Sequence, residues 1–153
     1  MPELNFADMT QSPLMQALGL VIDACSGGED GGCTQVRGHI DAGPEHHQPT
    51  GIVHGALYTG AIETAASVGA FLAVQDRGQF VVGVDNFCDF VRAHTQGRLE
   101  VDARAASQGR TLQLWEVDIT DDQGRLVAKG RVRLANRDQA GAPAPRPARP
   151  LSS

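Results

Sequence analysis

Glu63 is the residue whose surroundings most need a reason. It is the only charge in the stretch His54 to Ala73, HGALYTGAIETAASVGAFLA, which is otherwise apolar or small nearly all round. That pattern describes a helix enclosed by other structure. A lone carboxylate there is costly to bury unless it is paired or used. Thr59 lies one turn before it and Ser67 one turn after, so the three form a polar stripe. A Glu63 bonded to Thr59 or Ser67 fits this pattern, as does one exposed at the helix edge or one that does nucleophilic or general-base chemistry.

The start of the same helix adds a second group. Gly51, His54 and Gly55 keep the backbone near the helix N-terminus uncrowded, so amide N–H groups can point at a ligand. Unpaired amides and the helix dipole together favour developing negative charge, and a carbonyl placed there would be polarised toward an oxyanion. Glu63 follows Gly55 by eight residues, roughly 12 Å along a helix. One small substrate carbonyl cannot touch both groups of a single chain. Two copies with antiparallel helices would bring the amide of one to the carboxylate of the other.

The ordered set Gln48-Pro49-Thr50-Gly51-Ile52-Val53-His54-Gly55-Ala56 and Glu63-Thr64-Ala65-Ala66-Ser67 resembles the signature of hotdog-fold thioesterases. Within them it is similar to the phenylacetate-degradation (PaaI-like) type, including 4-hydroxybenzoyl-CoA and dihydroxynaphthoyl-CoA thioesterases with a helix glutamate. The similarity continues through Val82-Gly83-Val84-Asp85, Phe90-Val91-Arg92, Gly97, Gly109-Arg110, Trp115 and Gly124-Arg125-Leu126-Val127-Ala128, over about residues 12–137. The resemblance implies acyl-CoA hydrolysis without a separate cofactor, CoA being part of the substrate. It implies that the Gly55 amide polarises the thioester carbonyl and that Gln48 holds that carbonyl or the attacking water. Glu63 of the opposing subunit would be nucleophile or general base, Ser67 would orient water or Glu63, and His54 would fix the loop or assist at the carbonyl.

Two positions depart from that pattern. Ala56 stands where the family has a second glycine, and Asp89-Phe90 stands where naphthoyl-type relatives carry Asn-His, so an imidazole is missing. Asp89 could bond a polar acyl substituent or pair with Arg92 or a loop amide. Ala56, Gly60 and Ala61 beside Tyr58 and Phe87 permit an aromatic or medium-chain acyl group, with Phe90 also placed at the substrate. Arg92, Arg98 and Arg110 flank the segments where the family places the CoA arm; arginine suits phosphate, and ordinary surface charge is the plainer reading. Arg110 coincides with a family motif.

Local elements must position these groups. Ser12-Pro13 before LMQALG reads as an N-cap, a first-turn proline and a short helix ending near Gly19. LGLVIDAC and CTQVRGHI read as a hairpin over 18–40, and strands are expected at roughly 79–92, 98–107, 110–120 and 125–135. In the last, Leu126, Ala128, Val132 and Leu134 alternate with Val127, Lys129, Arg131 and Arg133. A DDQG turn would set Ile119 opposite Leu126 and Val117 opposite Ala128 inside, with Glu116 opposite Lys129 outside. The expected architecture is α+β: about six antiparallel strands wrapped round one long helix, in one domain over 1–138. A Pro/Ala/Arg-rich flexible tail would follow over 139–153. One face of such a sheet needs a partner, so at least a homodimer is expected, and a tetramer fits the family.

Composition narrows the field. The chain has 153 residues, 41% hydrophobic and 20% charged, with net charge −5. Two of its 13 basic residues lie in the tail, leaving 11 against 18 acidic ones in the body, which argues against a nucleic-acid surface. No apolar run is long enough for a membrane span, and MPELNFADMTQSP is not a signal peptide, so cytoplasmic residence is expected. Cys25, Cys33 and Cys88 form no C-x-x-C pair and are expected as free thiols. His39, His46, His47, His54 and His94 lack metal-ligand spacing, so no metal is expected. Two other functions fit less well: hydration or dehydration of acyl thioesters, and non-catalytic acyl-CoA binding. A carrier-protein thioester is the other substrate class the family allows.

Overall fold

The computed structural model describes residues 12–28 and 32–139. The proposed tail beyond Gln139 therefore lies outside the described residues. The first helix, α1 (Pro13–Leu18), begins as its sequence dictates: the Ser12 hydroxyl accepts from the Met15 amide at 3.3 Å, and Gly19 ends it at φ 65°. Strands β1 (Leu20–Gly27) and β2 (Cys33–Ala42) form the expected hairpin. The long helix α2 (Gly55–Leu72) is followed by β3 (Gln79–Phe90), β4 (Gly97–Gln108), β5 (Leu112–Asp121) and β6 (Leu126–Asp138).

All strand pairings are antiparallel, in one sheet of order β1-β2-β4-β5-β6-β3. The sheet packs on α2, which buries Leu57, Ala61, Ile62, Ala65, Val68 and Phe71 among others. The approach is close. A Cβ on Gly69 would lie 2.4 Å from Trp115 Cη2, and one on Gly130 would lie 2.5 Å from Ile62 Cγ2. The helix glycines, which lower helix propensity, are thus explained at Gly69 by the buried indole against it.

A satisfied polar network closes the far end of the helix. Gln113 Nε2 donates to the Ala70 carbonyl and to Asn136 Oδ1, both at 2.9 Å, while its Oε1 accepts from Trp115 Nε1 at 3.0 Å. Asn136 Nδ2 then donates to the carbonyls of Gly109 (3.0 Å) and Arg110 (3.1 Å). The last turn of α2 is therefore tied to the β4–β5 turn.

The β5–β6 register differs from the expected one. Ile119 faces Ala128, Val117 faces Gly130 and Glu116 faces Arg131, while Lys129 pairs with Asp118 at 3.3 Å. The physical reason lies at the turn. A register shift between Ile119 and Thr120 lengthens the connection, and the Asp121 carboxylate accepts from the amides of Gln123 and Arg125 and from Arg125 Nε. Burial pushes that carboxyl up, but these donors outweigh it and hold it below the ordinary range. Because the displacement is an even number of residues, the inward face is preserved. Val127, expected outward, is also buried, and its carbonyl accepts from the amides of Val91 and Arg92. The three cysteines are free thiols. Among the described residues no helix is long and apolar enough to cross a membrane.

Candidate active site

The loop before α2 is held by its own backbone. The Val53 amide donates to the His94 carbonyl and the His54 amide to the His46 carbonyl, both at 2.8 Å. Gln48 heads a tight turn, its amide donating to Ile52 O and its carbonyl accepting from Gly51, whose φ of 80° suits glycine. The Gln48 side chain donates to Thr50 Oγ1 at 2.7 Å. His54 is the N-cap: its Nδ1 accepts from the Ala56 amide at 2.9 Å, and its carbonyl accepts from Leu57 N at 2.9 Å. With Nδ1 engaged as an acceptor, the neutral ring carries its proton on Nε2, on an exposed side chain. The Gly55 amide finds no acceptor among the described residues. It is an orphan donor at a helix N-terminus.

That amide opens on a cleft of about 570 Å³ lined by Gln48, Val53, His54, Gly55, Tyr58, Thr59, Phe90 and Arg92, among others. Phe90 lies directly over Gly55: a Cβ there would fall 2.7 Å from the Phe90 Cζ. Phe90 also meets the Tyr58 ring at 6.0 Å between centroids, tilted 47°. The Tyr58 hydroxyl is buried without a partner among the described residues, and burial pushes its ionisation up to about 12. Tyr58 is therefore a neutral aromatic wall. The glycine at 55 serves the ring above it as much as any ligand.

Glu63 is half-buried two turns along α2 and does not bond Thr59 or Ser67 through its side chain. Its partner is Asn86 on β3, whose Nδ2 donates to Glu63 Oε2 at 3.0 Å and to the Thr59 carbonyl at 3.1 Å. Thr59 Oγ1 instead donates back to the Gly55 carbonyl at 3.1 Å. The other carboxylate oxygen lies over Gly83, where a Cβ would come within 2.8 Å of Oε1. Asn86 escaped the sequence reading. Its signal was strand alternation: Asn86, Cys88 and Phe90 share one face of β3, and Asn86 is the amide on it.

The same alternation separates other candidates. Phe87 and Asp89 lie on the opposite face, where with Glu116, Lys129, Gly130 and Arg131 they line a hollow of about 200 Å³. Asp89 makes no bond with Arg92 among the described residues. Arg98 is engaged with Glu100 at 2.7 Å and Asp41 at 4.0 Å. Arg110 is on the β4–β5 turn, at the end of the fold where α2 terminates, away from the cleft of its own chain. Ser67 lies one turn beyond Glu63, half-buried. No group of three or more potential metal ligands occurs among the described residues.

Comparison with known proteins places this geometry. Residues 50–128 match the Thioesterase superfamily. "Putative esterase Rv1847" of Mycobacterium tuberculosis is 45% identical over 102 residues, covering 65% of this chain and 73% of that protein. Its solved structure superposes with a TM-score of 0.77 at 40% identity, covering 83% of this chain and 98% of that one. The structure of AziG from S. sahachiroi gives a TM-score of 0.76 at 35% identity, with the same coverage. "Proofreading thioesterase EntH" of Cronobacter sakazakii is 36% identical over 89 residues, covering 58% of this chain and 64% of that protein. With its sheet wrapped on one long helix, the chain belongs to the Thioesterase superfamily: a hotdog-fold protein whose chemistry is thioester hydrolysis.

Proposed function

We propose that the protein is an acyl-CoA thioesterase of the PaaI-like type, with each active site formed between two copies of the chain. One observation carries this reading: the orphan Gly55 amide opens on an apolar cleft, whereas the helix carboxylate, Glu63, is seated two turns away beside β3. Among the described residues β3 ends the sheet, pairing with β6 on its one side, and it exposes Val82, Val84, Phe87 and Phe90. An edge with that much apolar surface suits another copy of itself, and antiparallel pairing there would carry Glu63 of one copy to Gly55 of the other.

In that assembly the thioester carbonyl accepts from the Gly55 amide, helped by the Gln48 side chain and His54 Nε2. Glu63, ionised, either takes a proton from water as hydroxide adds to the carbonyl, or itself adds and yields an anhydride that water opens. The C–S bond breaks, CoA leaves as thiol after taking up a proton, and the acid is released. Ser67 orients the water or Glu63. Tyr58 and Phe90 wall an aromatic or medium-chain acyl group. Arg92, at the cleft, and Arg110, delivered from the opposing copy, receive CoA phosphates, with Arg98 more weakly placed because Glu100 already holds it. Phe87 and Asp89 would act only through contacts between copies.

The test is thiol release from acetyl-, octanoyl-, palmitoyl-, benzoyl- and 4-hydroxybenzoyl-CoA, repeated with Glu63→Ala and Glu63→Gln. Near-complete loss of turnover with folding retained is expected in both variants. Full activity in either refutes the role of Glu63. An altered acyl chain with its thioester intact would indicate hydration, and binding without turnover a non-catalytic protein.

A further inference from the structure

We propose that Asn86 is the positioning residue for Glu63, an inference that rests on Glu63 being the reacting carboxylate. Among the described residues it is the one side chain that hydrogen-bonds this carboxylate. Both groups beside its Nδ2, Glu63 Oε2 and the Thr59 carbonyl, can only accept, so the amide must present its NH2 to them. Both amide hydrogens are thereby spent on one turn of α2, at 3.0 and 3.1 Å. Glu63 cannot rotate without breaking a charge-assisted bond, and Asn86 cannot follow it without releasing the helix carbonyl.

Stability does not explain the arrangement. Asn86 Oδ1 is buried and has no partner among the described residues, a cost that an apolar side chain of similar size would not carry. The strand is also shaped for the carboxylate: Gly83 leaves space for Oε1, where any Cβ would come within 2.8 Å. The irregularity between Gly83 and Asp85 turns Asp85 to Arg133 on the other face. On the face of β3 toward α2 the other titratable group is Cys88, which hydrogen-bonds Thr59, and Tyr58 lies five residues before Glu63 on α2; Asp89, Lys129 and Arg131 line the hollow on the opposite face. A buried, incompletely satisfied amide held against a reactive carboxylate is what orientation requires and what packing alone would discard.

The experiment uses the full chain and the acyl-CoA of the panel that releases thiol fastest. Asn86→Leu is expected to fold with a Tm at or above that of the native protein. Its kcat should fall about 10- to 100-fold, with KM changed by less than about threefold. Asn86→Asp places two carboxylates about 3 Å apart, which cannot both ionise, so the acidic limb of its kcat/KM profile should move to higher pH. That variant decides the matter if Asn86→Leu does not fold. A native kcat in Asn86→Leu, or parallel loss of Tm and kcat with the Asn86→Asp profile unmoved, overturns the positioning role. Turnover surviving in Glu63→Gln instead overturns the reading of Glu63, and no thiol release from any panel member removes both.

Discussion

Gly55 answers to two demands at once, a ring above its Cα and a free amide at the helix start. They can be separated by substitution. Proline is tolerated at the first helical position, because that N–H has no helical acceptor, and His54 already holds the extended φ −71°, ψ 135° that a following proline imposes. Gly55→Pro therefore deletes the donor while leaving the helix. Gly55→Ala brings a Cβ against the exposed Phe90 ring but keeps the N–H. Steady-state kinetics should show kcat lower by about 10²- to 10³-fold in Gly55→Pro, the usual cost of one lost oxyanion donor. Gly55→Ala should lose far less. Equal losses in the two variants would trace the effect to Phe90 and not to the amide. Much of this site was readable from residue types: the lone carboxylate and the free amide at a glycine-opened helix start are consequences of local spacing, whereas the His54 cap on the Ala56 amide emerged only in the structure. Asn86 was not readable either, since 23 residues separate it from Glu63 and only the fold brings them together.

At the scale of elements, the position of α2 depends on how closely the sheet comes to it. Gly69 is the clearest case, since its missing Cβ leaves room for Trp115 Cη2 and for Val36 Cγ2. Trp115 is fully buried and pinned through Nε1 by Gln113, so it cannot swing away. Replacing Gly69 by alanine gains about 1 kcal/mol of helix propensity but forces an overpacked contact costing about 1–3 kcal/mol or more. Urea titration of Gly69→Ala should show a net loss of stability. A raised midpoint would mean that helix and sheet can separate by a few tenths of an ångström without cost. The strands of this element set follow from alternation and turn residues, α1 from its Ser12-Pro13 cap and α2 from its long run of apolar and small residues. The β5–β6 register did not follow, because the bulge beside Asp121 depends on how its carboxylate gathers the turn amides.

For the whole molecule, the decisive surface is the outer edge of β3. Val84 is 54% exposed, Phe87 62% and Phe90 61%, along a strand with one edge unpaired among the described residues. A charge in that edge should block pairing without touching the core. Val84→Lys is expected to sediment as a monomer with native circular dichroism and without turnover; an active monomer would rule out a shared site. A complementation assay is sharper. Mixing Gly55→Pro with Glu63→Gln subunits leaves one hybrid site with both groups intact, so unfolding and refolding together should restore about a quarter of native turnover under random pairing. A mixture as inactive as its parents would place both groups within one chain.

By itself the sequence determined the helix that carries Glu63, its glycine-opened start, the succession of strands along the chain and the inward face of β6 from Ala128 onward. Each of these is written in residues a few positions apart, where helical and strand periods act directly. The tertiary structure alone decided which groups meet. It seated Glu63 on Asn86 and Gly83, laid Phe90 over Gly55, left Phe87 and Asp89 on the opposite face and carried Arg110 to the far end of the helix. Those outcomes depend on strand pairing between distant segments and on two bulges. A bulge changes what a strand presents without leaving a periodic mark in the chain.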